Sequence, residues 1–280
     1  MPFDRVNHYE NFPVASLLLP ARLRKPIAVI YHFARSADDI ADEGNDPPAV
    51  RLAKLAVYRK ELDRIESGSP PETPLFQAAK NLIDQWQLPL QPFRDLLDAF
   101  NQDVIKTRYA SFAELLDYSR RSANPIGRLL LHLFEAATPQ HGAWSDAICT
   151  SLQLINFWQD IALDWHKGRI YLPQDEMARY GVSEAHIASA NVDTRWQRLL
   201  QFQFERTRAM LKSGAPLGAA LPGRAGMEIR AVIAGGATIL RKLEAAKGDS
   251  FRHRPRLNPF DWARIVVLAA LSPKSCSKYG

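Results

Sequence analysis

Hydrophobic residues recur along most of the chain at the spacing of an α-helix, and the alternation typical of strands is scarce. Clusters of Gly, Pro and polar residues divide this pattern into segments of helical length. The predicted helices span residues 26–42, 50–67, 93–105, 112–137, 144–165, 196–213 and 227–246. A last apolar run, residues 265–271, predicts a buried terminal helix. With no internal repeat and no interdomain linker, the pattern predicts an all-α bundle forming a single domain over residues 1–280.

Composition is that of a globular protein, with 46% hydrophobic and 24% charged residues and no low-complexity segment. Two cysteines, Cys149 and Cys276, are too few for a disulfide framework, which favours a reducing compartment. No apolar signal core follows the first residues, and residues 265–271 are too few to span a bilayer. A cytoplasmic location is therefore expected.

The net charge of +6 is concentrated in part near the end of the chain. The late basic residues are Arg252, His253, Arg254, Arg256, Lys274 and Lys278. Such a patch suits a nucleic acid, an anionic membrane surface or an anionic substrate, and a solvated basic face is the simplest interpretation. No nucleic-acid-binding motif accompanies it, so no nucleic-acid partner is expected.

Several common catalytic motifs are absent from the sequence. It contains no GxG, GxxxxGK[ST], HExxH or GxSxG pattern. The usual signals of Rossmann dinucleotide binding, P-loop NTPases, zinc proteases and serine hydrolases are therefore missing. Any phosphate binding would depend on metal ions and basic side chains.

An acidic cluster ends the first predicted helix, with Asp38, Asp39, Asp42 and Glu43 directly before Gly44. Asp38 and Asp42 are four residues apart and share one helix face, where like charges repel. Carboxylates near a helix C-terminus also oppose the helix dipole. A bound cation would resolve both conflicts.

A second cluster repeats this arrangement. Asp160 and Asp164 are four apart near the end of a predicted helix, with Asn156 one turn earlier and Gln153 close to it. One such pair is more often a solvated helix face, but two with the same spacing and helix position favour function. Facing each other across a bundle, the pairs would hold Mg²⁺ ions against a diphosphate, because Mg²⁺ takes one or two carboxylates plus phosphate oxygens.

Basic residues stand close to both clusters. Arg35 precedes Asp38 by about one turn, and Lys167, Arg169 and Tyr171 follow Asp164. Arginine and lysine bind phosphate, whereas charge balance for the acids is the simpler and equally weighted alternative.

The segments FARSADDIADE and QLINFWQDIALDWHKGRIYLP resemble the two aspartate-rich motifs of squalene and phytoene synthases. DVIKTRYASFAELLDYSRRSANPIGRL, GAPLGAALPGRAGMEIRA and RPRLNPFDWARI resemble further family segments, so the likeness runs from about His8 to Arg264. It implies a single-domain isoprenoid synthase bundle with a central apolar cavity for two prenyl chains. The implied Mg²⁺ ligands are Asp38, Asp42, Asn156, Asp160 and Asp164. The implied substrate or diphosphate contacts are His8, Arg35, Gln153, Lys167, Arg169 and Tyr171, of which Tyr171 joins the four aspartates as a catalytic residue.

Two departures from the family pattern reduce the number of reactions that the resemblance allows. Members that condense two prenyl diphosphates carry a tyrosine just before a VAGxVG-like stretch. Here SANPIG follows Arg120 and Arg121, with Tyr118 displaced upstream, and a second late tyrosine is replaced around Gly236. NHYENFPVAS and YSRRSANPIGRL are most similar to the bacterial hydroxysqualene synthase subgroup of the hopanoid pathway.

This resemblance implies a lyase in which two or three Mg²⁺ ions assist loss of diphosphate from presqualene diphosphate. The cation rearranges and water captures it to give hydroxysqualene, with no NADPH. An apolar product implies peripheral contact with the inner face of the membrane, and other squalene-pathway enzymes are candidate partners. The alternatives are a head-to-head synthase making presqualene diphosphate, squalene or phytoene, a non-catalytic lipid-binding relative, and a basic nucleic-acid-binding helical protein.

Overall fold

The computed structural model describes residues 20–270, and the prediction for His8 lies outside them. The helices are α1 Ala21–Asp42, α2 Pro48–Glu66, α3 Pro74–Trp86, α4 Gln91–Ile105, α5 Phe112–Ser122, α6 Asn124–Leu133, α7 Pro139–His166, α8 Gln174–Arg179, α9 Glu184–Ala188, α10 Thr194–Gly214, α11 Leu217–Ala220, α12 Gly223–Ala245 and α13 Pro259–Ala270. Within residues 20–270 the extended pairing amounts to an isolated bridge between Arg108 and Ile170. The predicted all-α class is confirmed.

The chain divides into two compact units. The described residues up to Lys106 form one unit together with Arg120–Gly142. Thr107–Ser119 and the described residues from Ala143 onwards form the other. One domain over residues 1–280 and a central cavity stay predictions.

The core of the first unit is built around α1, which packs against α2, α3, α4 and α6. Phe33 is fully buried there and meets Phe76 and Phe93 edge to face, with ring centroids 5.7 and 5.1 Å apart. α1 begins five residues before the predicted start at Pro26. Its added first turn is held by packing, because Leu23 is buried in the same core.

The second unit is built on α7, α10 and α12. Trp158 of α7 is fully buried, and its indole N–H donates to the hydroxyl of Thr207 on α10 at 3.0 Å. α10 approaches α7 closely at Gly214, where a Cβ would lie 2.6 Å from the Trp144 carbonyl oxygen. The helix that carries the second acid pair is therefore fixed by tight packing.

The structure corrects two predicted helices. The helix predicted over 112–137 is two helices, α5 and α6, because Pro125 lacks a backbone N–H and its ring clashes with the preceding turn. The terminal helix was predicted to be buried, but α13 buries Ile265 and Ala269 while Val266 and Val267 are 48% and 53% exposed. α13 packs on α12 and lies at the surface on its other side. In the described part, no helix has the length and hydropathy to cross a bilayer.

Candidate active site

The first acid pair stands at the C-terminus of α1. Asp38 and Asp42 are one turn apart, so both side chains leave the helix on the same side, and both are partly exposed. α1 ends at Asp42, where the backbone becomes extended at Glu43, and Gly44 has a φ of 78°. The predicted conflict between these carboxylates and the helix dipole is present in the fold.

Two arginines supply positive charge at this helix end. Arg35 Nη1 donates to Asp38 Oδ2 at 3.2 Å, and its Nη2 lies 2.8 Å from Asp39 Oδ1. Arg51, which projects from α2, donates to the carbonyl oxygens of Ala41 and Gly44, the latter at 2.6 Å. Arg51 thereby binds the Ala41 carbonyl in the last turn of α1 and the Gly44 carbonyl just after the helix, a role that its position in the sequence does not indicate.

The second acid pair lies on one stripe of α7. Gln153, Asn156, Asp160 and Asp164 follow each other at spacings of three and four, and all four side chains are partly exposed. The opposite side of α7 is buried, including Leu154 and Trp158. The structure therefore places these four predicted residues on the same accessible side of one rigid helix.

Arg254 holds the carboxylate of Asp160. Its Nε and Nη2 donate to the two oxygens of Asp160, the second at 3.0 Å, and both side chains are 23% exposed. Next to it, the side-chain amide of Gln159 donates to the carbonyl oxygen of Pro255. The loop between α12 and α13 is thus attached to α7 beside the acid pair, in a bidentate geometry that fixes both charged groups.

The segment after α7 turns sharply and returns toward the acid pair. Gly168, with a φ of 75°, makes this turn, and the Arg169 N–H donates to the Asp164 carbonyl oxygen at 2.8 Å. Arg108 reinforces it by donating to the Gly168 carbonyl oxygen at 2.6 Å. A two-fold hydrogen bond to Glu184 holds Arg108 in place and lowers the pKa of the Glu184 carboxyl below its usual value.

Tyr171 belongs to a buried cluster of aromatic rings. It stacks on Phe157 of α7 with ring centroids 3.8 Å apart and lies 5.5 Å from Tyr109 and 6.0 Å from Tyr118. Tyr118, which the sequence identified only as a displaced residue, is therefore a packing partner of a predicted site residue. Long-range pairing of aromatic rings has no local sequence signal.

Three predicted site residues share one small cavity. Asp164, Arg169 and Tyr171 line a space of about 10 Å³ together with apolar side chains such as Phe157 and Ile161. This volume suits a single water molecule. Side chains with a carboxylate, a guanidinium and a phenol ring thus line the same cavity near the C-terminus of α7.

The outcome for the remaining predictions differs from residue to residue. Lys167 is exposed in the turn after α7. The two acid pairs belong to different compact units, and their predicted approach across the bundle stays a prediction. Arg254 was noted only as part of the late basic patch, although it lies in the family-like segment RPRLNPFDWARI.

The chemistry of these donors fits Mg²⁺. Aspartate and asparagine oxygens are hard ligands, and Mg²⁺ commonly takes one or two carboxylates together with waters and phosphate oxygens. Each acid pair supplies two carboxylates on a helix face that solvent reaches. Among residues 20–270, no three His, Cys, Asp or Glu side chains are gathered closely enough to hold a metal ion without further ligands.

The chain is similar to known proteins over most of its length. A sequence model of the family described as squalene/phytoene synthase matches residues 6–261. A hydroxysqualene synthase of Rhodopseudomonas palustris is 33% identical over 94% of this chain and 88% of its own length. A 15-cis-phytoene synthase of Synechococcus elongatus is 29% identical over 71% of this chain and 68% of its own.

The fold has a counterpart among solved structures. The crystal structure of squalene synthase HpnC from Alicyclobacillus acidocaldarius superimposes with a TM-score of 0.80 at 34% identity. The match covers 86% of this chain and 90% of that one. The sequence and the fold therefore place the chain with the same group of proteins.

Proposed function

Because the chain belongs to the squalene/phytoene synthase family, enzymes that act on prenyl diphosphates, we propose that it is a Mg²⁺-dependent hydroxysqualene synthase. Its substrate would be presqualene diphosphate and its products hydroxysqualene and diphosphate, without NADPH. The reaction would be that of a carbon–oxygen lyase. Similarity to a hydroxysqualene synthase over nearly the whole chain supports this choice.

One observation carries the choice between the family's reactions. The late tyrosine of condensing members is replaced around Gly236, and at Gly236 a Cβ would lie 2.8 Å from Leu152 Cδ2 and 3.3 Å from Ile155 Cδ1. A ring at this position would require the side chains of Leu152 and Ile155 on α7 to move. Together with Arg120 and Arg121 before SANPIG, this favours a reaction that starts from the cyclopropyl intermediate.

In the proposed mechanism, Asp38, Asp42, Asn156, Asp160 and Asp164 would hold the metal ions. The positive charge of bound Mg²⁺ would neutralise the diphosphate leaving group as the C–O bond breaks. Arg35, Lys167 and Arg169 would bind diphosphate oxygens and stabilise the growing negative charge. His8 and Gln153 would complete the substrate contacts.

The proposed bond changes balance without a redox cofactor. The C–O bond of presqualene diphosphate breaks, and its electron pair leaves with the diphosphate. The cyclopropylcarbinyl cation rearranges and opens, a water oxygen bonds to the resulting cation, and a proton is released. The departing diphosphate is a suitable acceptor for that proton, and buried rings such as Tyr171 and Phe157 are suited to stabilise a nearby cation.

A head-to-head synthase that joins two prenyl diphosphates is the second candidate. The similar proteins named squalene synthase and phytoene synthase favour it. For either reaction, the proposal places the protein at the inner membrane surface, where an apolar product can leave, with other squalene-pathway enzymes as partners and no nucleic acid.

Purified protein with Mg²⁺ tests the reaction directly. Three samples would contain presqualene diphosphate, farnesyl diphosphate, and farnesyl diphosphate with NADPH, and extracted lipids would be identified by mass spectrometry. Hydroxysqualene from the first sample alone is expected. Turnover of farnesyl diphosphate would overturn the proposal in favour of the head-to-head synthase.

Matched variants connect the activity to the acid pairs. Asp38→Asn and Asp160→Asn each remove one negative charge without changing side-chain size, and both are expected to abolish turnover. Asp84→Asn on α3 is the control, because the Asp84 side chain is 58% exposed and pairs with Lys80 at the surface. Full activity in Asp38→Asn or Asp160→Asn would contradict the metal-binding role.

A further inference from the structure

Helix α13 is fixed to α12 along one side. Ile265 and Ala269 are buried, and α13 packs against α12. Lys242 of α12 bonds Asp261 near the start of α13, and Arg230 Nε donates to the Ala269 carbonyl oxygen at 2.8 Å near its end. α13 therefore runs antiparallel to α12 in a defined rotation, and its outer face is determined.

That outer face is apolar, although it is exposed. Phe260, Ala263, Val267 and Ala270 recur at spacings of three and four, and all are exposed. Phe260 is 86% exposed and Val267 is 53% exposed. A surface helix normally turns polar residues outward, so an apolar stripe on a helix that also has a buried apolar side indicates a binding surface.

The charges around this stripe are basic. Residues 252–264 contain four arginines and one aspartate, and that aspartate, Asp261, is paired with Lys242. Arg252 is paired with Asp249, and Arg254 is directed to Asp160. Arg264 is exposed on α13 itself, and its place in the sequence between Ala263 and Val267 puts it beside the stripe.

We propose that the outer face of α13 docks on the surface of a bilayer that contains anionic lipids. Phe260 and Val267 enter the boundary between headgroups and acyl chains, and Arg264 meets lipid phosphates. This identifies the surface for the membrane contact proposed above. It also places the loop that reaches Asp160 next to the membrane, because that loop leads directly into α13.

The charge of this face disfavours a second copy of the chain as its occupant. A symmetric dimer would bring the same patch against itself, so that basic side chains of both copies would approach each other. Like charges brought together at an interface weaken association. An anionic bilayer provides apolar depth and opposite charge at once.

Vesicle co-sedimentation of the full chain tests the proposal. Vesicles of phosphatidylcholine alone would be compared with vesicles that contain phosphatidylglycerol as well. We expect binding to the mixed vesicles, weakened by added salt because the charges become screened. The double variant Phe260→Ser/Val267→Ser should weaken binding about tenfold or more through lost apolar burial. Arg264→Glu should weaken it by about tenfold.

Val57→Ser is the matched control, because Val57 on α2 is also 52% exposed but lies on another helix. It should bind vesicles like the parent protein, and unchanged circular dichroism would establish that every variant is folded. Binding that is equal for all variants, or equal for both vesicle types, would overturn the proposal. So would a dimer in sedimentation velocity that the double variant abolishes, since the second copy would then be the occupant.

Activity measured on detergent-dispersed presqualene diphosphate separates this inference from the proposed function. The Phe260→Ser/Val267→Ser variant should keep turnover in detergent and lose it on vesicles. Vesicle binding without any turnover would remove the proposed reaction and leave the docking surface intact. Turnover without selective vesicle binding would remove the docking surface and leave the proposed reaction intact.

Discussion

Arg254 donates hydrogen bonds to both carboxylate oxygens of Asp160, a residue 94 positions earlier in the chain. Asp160 is also a proposed Mg²⁺ ligand, and the same oxygens cannot serve the guanidinium and a metal ion equally well. The positive charge of Arg254 further repels a cation approaching that site. Arg254 and a metal ion are thus expected to compete for Asp160.

Replacing Arg254 by glutamine should strengthen metal binding in the absence of substrate. The expected gain is at least about tenfold, because a full charge this close contributes well over 1 kcal/mol even at an effective dielectric constant near 20. Mn²⁺ titration followed by electron paramagnetic resonance measures this affinity without turnover. Arg252→Gln is the control, since Arg252 pairs with Asp249 instead. Equal Mn²⁺ affinities in both variants would rule out the competition.

Two substitutions of Tyr171 should distinguish a role of this residue in packing from a role in the reaction. Tyr171→Ala removes the ring that stacks on Phe157 and should lower the free energy of unfolding by about 3–5 kcal/mol. Tyr171→Phe keeps the ring and should cost less than about 1.5 kcal/mol. Urea unfolding measures both.

The phenylalanine variant then tests the proposed substrate contact. If the hydroxyl of Tyr171 meets the substrate, Tyr171→Phe should lower kcat for presqualene diphosphate while the protein remains stable. Unchanged kcat would limit Tyr171 to packing.

Gly236 should tolerate a methyl group less well than Gly142. Both lie in helices, where Ala is intrinsically favoured over Gly by about 1 kcal/mol. A Cβ at Gly142 meets nothing within 4 Å, whereas one at Gly236 lies 2.8 Å from Leu152 Cδ2. Gly142→Ala should raise the urea midpoint, and Gly236→Ala should raise it less, because the side chains of Leu152 and Ile155 must shift to admit the methyl group and this cost offsets part of the helix preference. An equal rise in both would contradict the close packing of α12 on α7.

Asp193 should make the stability of the protein depend on pH in acid. Its carboxylate accepts hydrogen bonds from the backbone N–H groups of Arg195 and Trp196 at the start of α10. The bond from the Trp196 N–H, followed by the one from the Arg195 side chain, lowers the pKa of Asp193 from 3.8 to about 2. Because the Asp193 carboxyl has a lower pKa in the folded state than in the unfolded state, its ionisation stabilises the folded protein. This stabilisation is fully present above pH 3.8 and is lost as the pH falls toward 2.

Asp193→Asn isolates this effect, because asparagine also caps helices but does not ionise. The parent protein should be more stable than the variant at pH 6, and the difference should shrink as the pH drops below about 4. Urea unfolding followed by circular dichroism at several pH values measures it. A difference that stays constant with pH would show that the Asp193 charge contributes nothing.

The site was predictable to the extent that it is local. The i, i+4 spacing of Asp38 and Asp42, and of Asp160 and Asp164, places each pair on one helix face whatever the rest of the chain does. The long-range contacts near the second pair were not predictable. One example is the contact between Tyr118 and Tyr171, which are more than fifty residues apart and are related by no sequence period.

The sequence by itself determined the helical class, most helix positions and the two carboxylate pairs, because helical hydrogen bonds and face spacing depend on residues within a few positions of each other. Only the tertiary structure decided that Arg254 reaches Asp160, that Tyr171 stacks on Phe157, and that α13 turns an apolar face outward. The sequence of an apolar helix does not indicate whether other helices cover one of its sides or both. Which side chains meet across long separations depends on how whole helices pack, and that is a property of the assembled fold.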